Sequence, residues 1–169
     1  DLQSEDVQQT IRHIAEKKVA VEPTTGIHER LLLSRNGVVP DGLVDVVDHL
    51  PISEQRDARL AWIDSSAEGD SEAYAAAWKQ VLDTLRMMRE RGIFLIPGTD
   101  MGGSFTLHRE LELFKMIGFT NAEVLKRATF DMAKYLGQDQ SLGSIEKGKL
   151  ADFLLVPGDP TKDLKAIKQ

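Results

Sequence analysis

The sequence predicts an α/β fold built on parallel strands, and three observations carry that reading. Residues 93–96, Ile-Phe-Leu-Ile, form a short unbroken apolar run, the pattern of a strand buried on both faces. The run follows a long helical pattern and ends in Pro97-Gly98-Thr99-Asp100. Polar side chains therefore sit only at its C-terminal end, where barrels and open α/β sheets gather their chemistry because the loops there converge. The same helix-then-strand order occurs once before, near the start of the chain. Two such units fit a βα barrel or a doubly wound sheet.

Composition narrows the class. The chain has 169 residues and a formal net charge of −6, enough length for one domain with a core. The mild acidity gives no electrostatic case for nucleic acid or an anionic membrane as partner. There is no cysteine, which excludes disulfides and thiolate metal sites and says little about compartment. No apolar run approaches the ~20 residues needed to span a bilayer, and no signal peptide is visible. The chain opens at Asp1 without an initiator Met, as expected of a mature product, a trimmed chain or a fragment of something longer.

The elements follow in order. Ser4 is placed as an N-cap with Glu5 and Asp6 in the first turn, where acids suit the helix dipole. Val7, Ile11 and Ile14 lie on one face. Val19-Ala20-Val21 reads as a short strand that ends in Glu22-Pro23-Thr24-Thr25-Gly26. Residues 27–70 are the least regular part. Leu43, Val44, Val47 and Leu50 suit one face of a short helix before Pro51, and residues 53–62 suit another; a connection this long carries extra structure or a functional lid. From residue 71 the helical spacing sharpens through Tyr74, Trp78, Val81, Leu82, Leu85 and Met88. Arg89 and Arg91 fall in the last turn and Gly92 at the C′ position.

After Asp100 comes a glycine-rich loop, Met101-Gly102-Gly103-Ser104. A helix follows with Leu107, Leu111, Phe114 and Ile117 on one face and Gly118 as its stop. Thr120-Asn121-Ala122-Glu123 is a capping box. It starts a helix expected to turn Leu125, Ala128, Met132 and Leu136 inward, with Gly137 beyond its end. The tail then changes character: residues 143–148 look like a turn-bounded hairpin segment, and residues 151–156, Ala-Asp-Phe-Leu-Leu-Val, read as a strand.

The chemistry on offer is sparse. A lone Asp100 at a strand end suits a functional carboxylate, and equally an Asx-turn or the N-cap of the next helix. His28 lies in the loop expected after the first strand, on the presumed active face, or is simply a solvated loop residue. His108 falls early in a predicted helix, where a lone histidine is more often packed or hydrogen-bonded than a ligand. His13 and His49 have no supporting context. Gly102-Gly103 lacks the lysine of a P-loop and the spacing of a dinucleotide fingerprint, and no serine nucleophile elbow is present.

Three stretches taken together resemble a known family: Gly98-Thr99-Asp100, Leu107-His108-Arg109-Glu110-Leu111, and the tail Gly143-Ser144-Ile145-Glu146-Lys147-Gly148-Lys149-Leu150-Ala151-Asp152 with its following apolar run and Gly158-Asp159-Pro160. The chain is similar to the C-terminal part of the metal-dependent amidohydrolase superfamily, nearest its imidazolonepropionase-like and Xaa-Pro dipeptidase-like branch. The resemblance runs from about residue 11 to residue 165 and is weakest over residues 27–70.

The resemblance implies the C-terminal part of a (β/α)8 TIM barrel over residues 1–138 and strands of a small β-sandwich over residues 139–169. Residues 19–21 and 93–96 would then be the last two barrel strands, and residues 144–156 returning sandwich strands. It further implies one or two divalent metals, commonly zinc, that acidify a bound water. Of the family's metal ligands only the Asp after the last strand carries over, onto Asp100, as metal ligand and as the base that takes the water's proton and passes it to the leaving amine. The other ligands would precede Asp1. Thr24, His28, Met101, Phe105 and His108 are the substrate-adjacent candidates by position. The implied activity is hydrolysis of amide-type or dipeptide C–N bonds in a small substrate, in the cytoplasm or exported, with the 169-residue chain inactive by itself and associating with a second copy or with the missing barrel portion. Two rival readings stand beside it: a non-catalytic truncated homologue acting as an interaction module, and a phosphate-binding barrel enzyme of aldolase type.

Overall fold

The computed structural model describes every residue except Ser104. Its regular elements are helical. They are α1 (Glu5–Glu16), α2 (Thr25–Leu33), α3 (Ile52–Ala58), α4 (Asp70–Glu90), α5 (Thr106–Met116), α6 (Asn121–Lys126) and α7 (Met132–Tyr135). Short 3-10 turns lie at Asp41–Leu43, Val47–His49 and Leu164–Lys168. The amphipathic faces read from the sequence bring these helices together. Trp78, Leu82 and Leu85 of α4 meet Ile11 of α1 and Leu111, Leu113 and Phe114 of α5 in one core, with Ile93, Leu95, Ile117, Phe119, Val124 and Leu164. Burying each such large side chain contributes roughly 1.5–3 kcal/mol.

The expected α/β class, barrel strands and sandwich strands are not found. Among the described residues there is no sheet; the two presumed barrel strands meet only in a single parallel bridge, Val21 to Leu95. Two bonds make it: Val21 N–H to the Phe94 carbonyl and Ile96 N–H to the Val21 carbonyl, both 2.9 Å. The reason is one of partners. A parallel strand buried on both faces needs a neighbour along each edge, and a two-stranded pair alone is marginal. Here the Leu95 carbonyl accepts from the Arg127 guanidinium at 3.3 Å, so a side chain occupies an edge that a further strand would use. Residues 144–156, expected as sandwich strands, have no ladder partner and form no strand.

Three smaller corrections concern helices. His28, expected in the loop after the first strand, lies instead on the helix α2. The short helix expected over residues 43–50 is split into two 3-10 turns. The helix after the capping box is interrupted by a π-turn, Arg127–Asp131. The wider turn rotates the residues beyond it, so Ala133 is buried while Leu136, expected inward, is 66% exposed. The capping box itself is present in both directions. Ser4 stands at the N-cap of α1 but its hydroxyl makes no capping bond. Gly92, Gly118 and Gly137 take the positive φ expected of helix stops.

Candidate active site

The bridge aligns the two segments in parallel, so Glu22-Pro23-Thr24 and Pro97-Gly98-Thr99-Asp100 leave it at the same end. The approach is close. A Cβ on Gly98 would lie 1.9 Å from Glu22 Oε1, so glycine lets the two exits run side by side. Each exit then bends through a left-handed residue, Thr24 at φ 46° and Asp100 at φ 48°. Aspartate tolerates that region, whereas a β-branched threonine does so only under constraint.

The constraint on Thr24 is Glu110. This carboxylate is fully buried. Its Oε1 accepts the Thr25 N–H at 3.0 Å and its Oε2 the Gly26 N–H at 2.7 Å. It thus holds the first turn of α2 directly after Thr24. Burial pushes the Glu110 carboxyl above its usual range, and the two backbone N–H groups pull partly the other way. Met101 joins the second exit to the first: a Cβ on Gly26 would lie 3.2 Å from Met101 Cε. Thr99 braces the turn at Asp100, its hydroxyl donating to the Met101 carbonyl at 3.1 Å.

Asp100 itself is exposed. Among the described residues its carboxylate takes part in no hydrogen bond or ion pair, and the N-cap position of α5 belongs to Phe105. The capping role open to it from sequence is therefore not the one it plays among these residues.

Behind the exits lies an ionic cluster. Arg109 of α5 forks onto Glu29 of α2, with Nε to Oε2 at 2.8 Å and NH2 to Oε1 at 2.6 Å. It also reaches Glu112 at 2.8 Å. Lys168, from the final 3-10 turn, pairs with Glu112 at 2.5 Å. Burial opposes the Arg109 charge, but Glu29 and Glu112 more than offset it and hold the group above its ordinary range. Sequence reasoning missed this cluster and Glu110. The signal for Glu110 was there. It falls three residues after Leu107 and four before Phe114, on the apolar stripe of α5, where an unpaired charge is costly.

A cavity of about 590 Å³ adjoins the second exit, enclosed by residues of the 26–62 region and of the loop after Asp100. Met101 and Phe105 both line it; Thr24, His28, His108 and Asp100 do not. Phe105 lies against His108, ring centres 5.5 Å apart, and His28 is exposed on α2. Among the described residues no group of three or more His, Asp or Glu side chains is placed to hold a metal ion. One carboxylate is not a metal site, so these residues do not by themselves form the centre that the family resemblance implies. No helix among them is long and apolar enough to cross a membrane.

The chain belongs to the amidohydrolase family, whose model matches residues 1–169. Solved structures similar to it include the following two. One is a Xaa-Pro dipeptidase with bound methionine in the active site, at 24% identity and a TM-score of 0.63 over 95% of this chain. The other is a protein described as a prolidase from Bifidobacterium longum, at 34% identity and a TM-score of 0.50 over 60% of this chain. The second accords with the dipeptidase-like branch named from the motifs, and the first likeness is one of fold alone. The chain spans 34% of the first protein's length and 26% of the second's. No curated protein matches it.

Proposed function

We propose that this chain is part of a hydrolase of amide-type C–N bonds in small, dipeptide-like substrates, and that Asp100 is its reacting carboxylate. The observation that carries the reading is the placement of Asp100: exposed, in a left-handed turn at the shared exit of the bridged segments, and engaged in no structural bond among the described residues. Family membership supports the reaction class. The dipeptidase neighbour with methionine in its active site supports an amino-acid-derived substrate. A free carboxylate suits the proton work: one oxygen accepts the proton of the attacking water and returns it to the departing amine nitrogen. A divalent metal, zinc as one or two ions, belongs to this reading, with its remaining donors supplied from outside these residues.

The test is Asp100→Asn in the complete protein, assayed on a panel of dipeptides beside wild type, with circular dichroism to check folding. The expected result is a loss of about 10²–10⁴ in kcat/KM with an unchanged spectrum. Near-full activity in the variant overturns the role of Asp100. A zinc-loaded wild-type protein that cleaves nothing in the panel favours the non-catalytic module that the lack of a metal-holding group among the described residues also suits.

A further inference from the structure

The 27–70 region, irregular as sequence, lines most of the 590 Å³ cavity together with the loop that follows Asp100. That volume is in the range of small-molecule sites, about 300–1,000 Å³. Its apolar wall comes from Leu33 of α2, Leu43, Leu50 and Trp62, closed by Met101 and Phe105. Met101, which directly follows Asp100 in the chain, lines the cavity, so its wall begins one residue from the carboxylate assigned to the reaction.

The wall's cations are already satisfied. Arg109 is held between Glu29 and Glu112. Arg30 donates to the carbonyls of Asp57, Ala58 and Leu60 at 2.7, 2.8 and 3.1 Å and lies 5.3 Å from the centre of the Trp62 ring. Arg35 donates to the carbonyls of Leu32 and Ser34. The wall's Asp41, Glu54 and Asp57 are exposed. With its cations engaged and acids around it, the cavity disfavours an anion. With its lining apolar and partly aromatic, it suits a neutral group that hides apolar surface.

We infer that this cavity is the side-chain pocket of the substrate: it takes a large apolar, above all aromatic, side chain of an amide whose scissile bond lies at Asp100. The inference rests on the hydrolase reading, and the test separates the two. The complete, zinc-loaded protein is assayed on two dipeptides that differ only in carrying phenylalanine or alanine. Wild type prefers the phenylalanine substrate by about tenfold or more in kcat/KM, and Leu50→Trp, which fills the cavity, brings the ratio of the two kcat/KM values to about one. Leu43→Trp is the second filling variant should the first fail to fold. Equal effects on both substrates, or none on either, overturn the pocket assignment.

Binding is read apart from turnover by tryptophan fluorescence with N-acetylphenylalanine amide as probe. Trp62 lines the cavity, whereas Trp78 is 7% exposed in the core. Wild type therefore responds to the probe and Trp62→Phe does not. A silent wild type overturns the pocket. A wild type that binds the probe and cleaves neither dipeptide overturns the hydrolase reading and leaves the pocket standing.

Discussion

At the scale of single residues, the first question is what holds two left-handed residues at one end of a two-bond bridge. For Thr24 the answer is Glu110, a buried carboxylate that serves two backbone N–H groups. Glu110→Ala leaves both donors buried and unmade, an expected loss of about 2–4 kcal/mol in urea unfolding. The pH dependence has a definite sign. Burial raises the carboxyl's folded pKa above its unfolded value, so the folded chain binds the proton more tightly. The stabilisation this gives is fully present below the unfolded value, about 4.3, and declines as pH rises through the folded one. The stability difference between wild type and Glu110→Gln should therefore shrink as pH rises above about 4. A difference that grows over that window contradicts the assignment of burial as the dominant cause. Asp100 shows what position alone conveys. Its place after the apolar run singled it out in the sequence, whereas whether it caps the next helix was not readable there, because that depends on where the N–H groups of that helix fall.

At the scale of elements, the long helices α1, α4 and α5 were legible, whereas strands were not. A helix closes its own hydrogen bonds within four residues, so spacing and caps specify it locally. The faces of α4 and α5, the glycine stops and the Thr120–Glu123 box all follow from such short-range signals. A strand needs a partner that sequence spacing does not name. The apolar run at residues 93–96 was read as a strand, yet only Leu95 is bridged. The π-turn at Arg127–Asp131 was not legible from spacing either, and its first residue, Arg127, contacts groups distant in the sequence. These are the Leu95 carbonyl and the Phe94 ring, whose centre is 4.0 Å from the guanidinium carbon. Gly143 connects that turn to the tail. Its φ is 89°, and a Cβ there would lie 2.6 Å from the Ala133 Cβ and 3.1 Å from the Phe130 Cα. Both neighbours are fixed, so Gly143→Ala meets conformational strain and a backbone clash together. The expected loss is about 2 kcal/mol or more, read as a lowered urea midpoint at unchanged m-value. A neutral substitution would show that the tail does not dock on the π-turn in solution.

At the scale of the whole molecule, two parts of the C-terminal tail behave differently. Leu164 and Ala166 are buried, and Lys168 reaches Glu112, so the last turn is tied into the ionic cluster behind the candidate site. The stretch before it is not tied down: Ile145 is 92% exposed and Leu155 93%, with Phe153 and Leu154 also exposed between and beside them. An extended, unpaired and apolar segment presents both backbone donors and greasy side chains to whatever meets it. Charge does not prevent such contacts, because the net charge of −6 is modest for 169 residues. The 169-residue chain is therefore expected to self-associate, with a weight-average mass in sedimentation equilibrium that rises with concentration. Replacing Phe153 and Leu155 together by glutamate places like charges on the segment and should return the species to monomer mass. Because neither side chain contributes to the core around Leu95 and Phe114, the double variant should keep the wild-type unfolding midpoint at low concentration. A wild-type chain that stays monomeric and melts cooperatively at all concentrations would show that the segment finds cover within its own molecule.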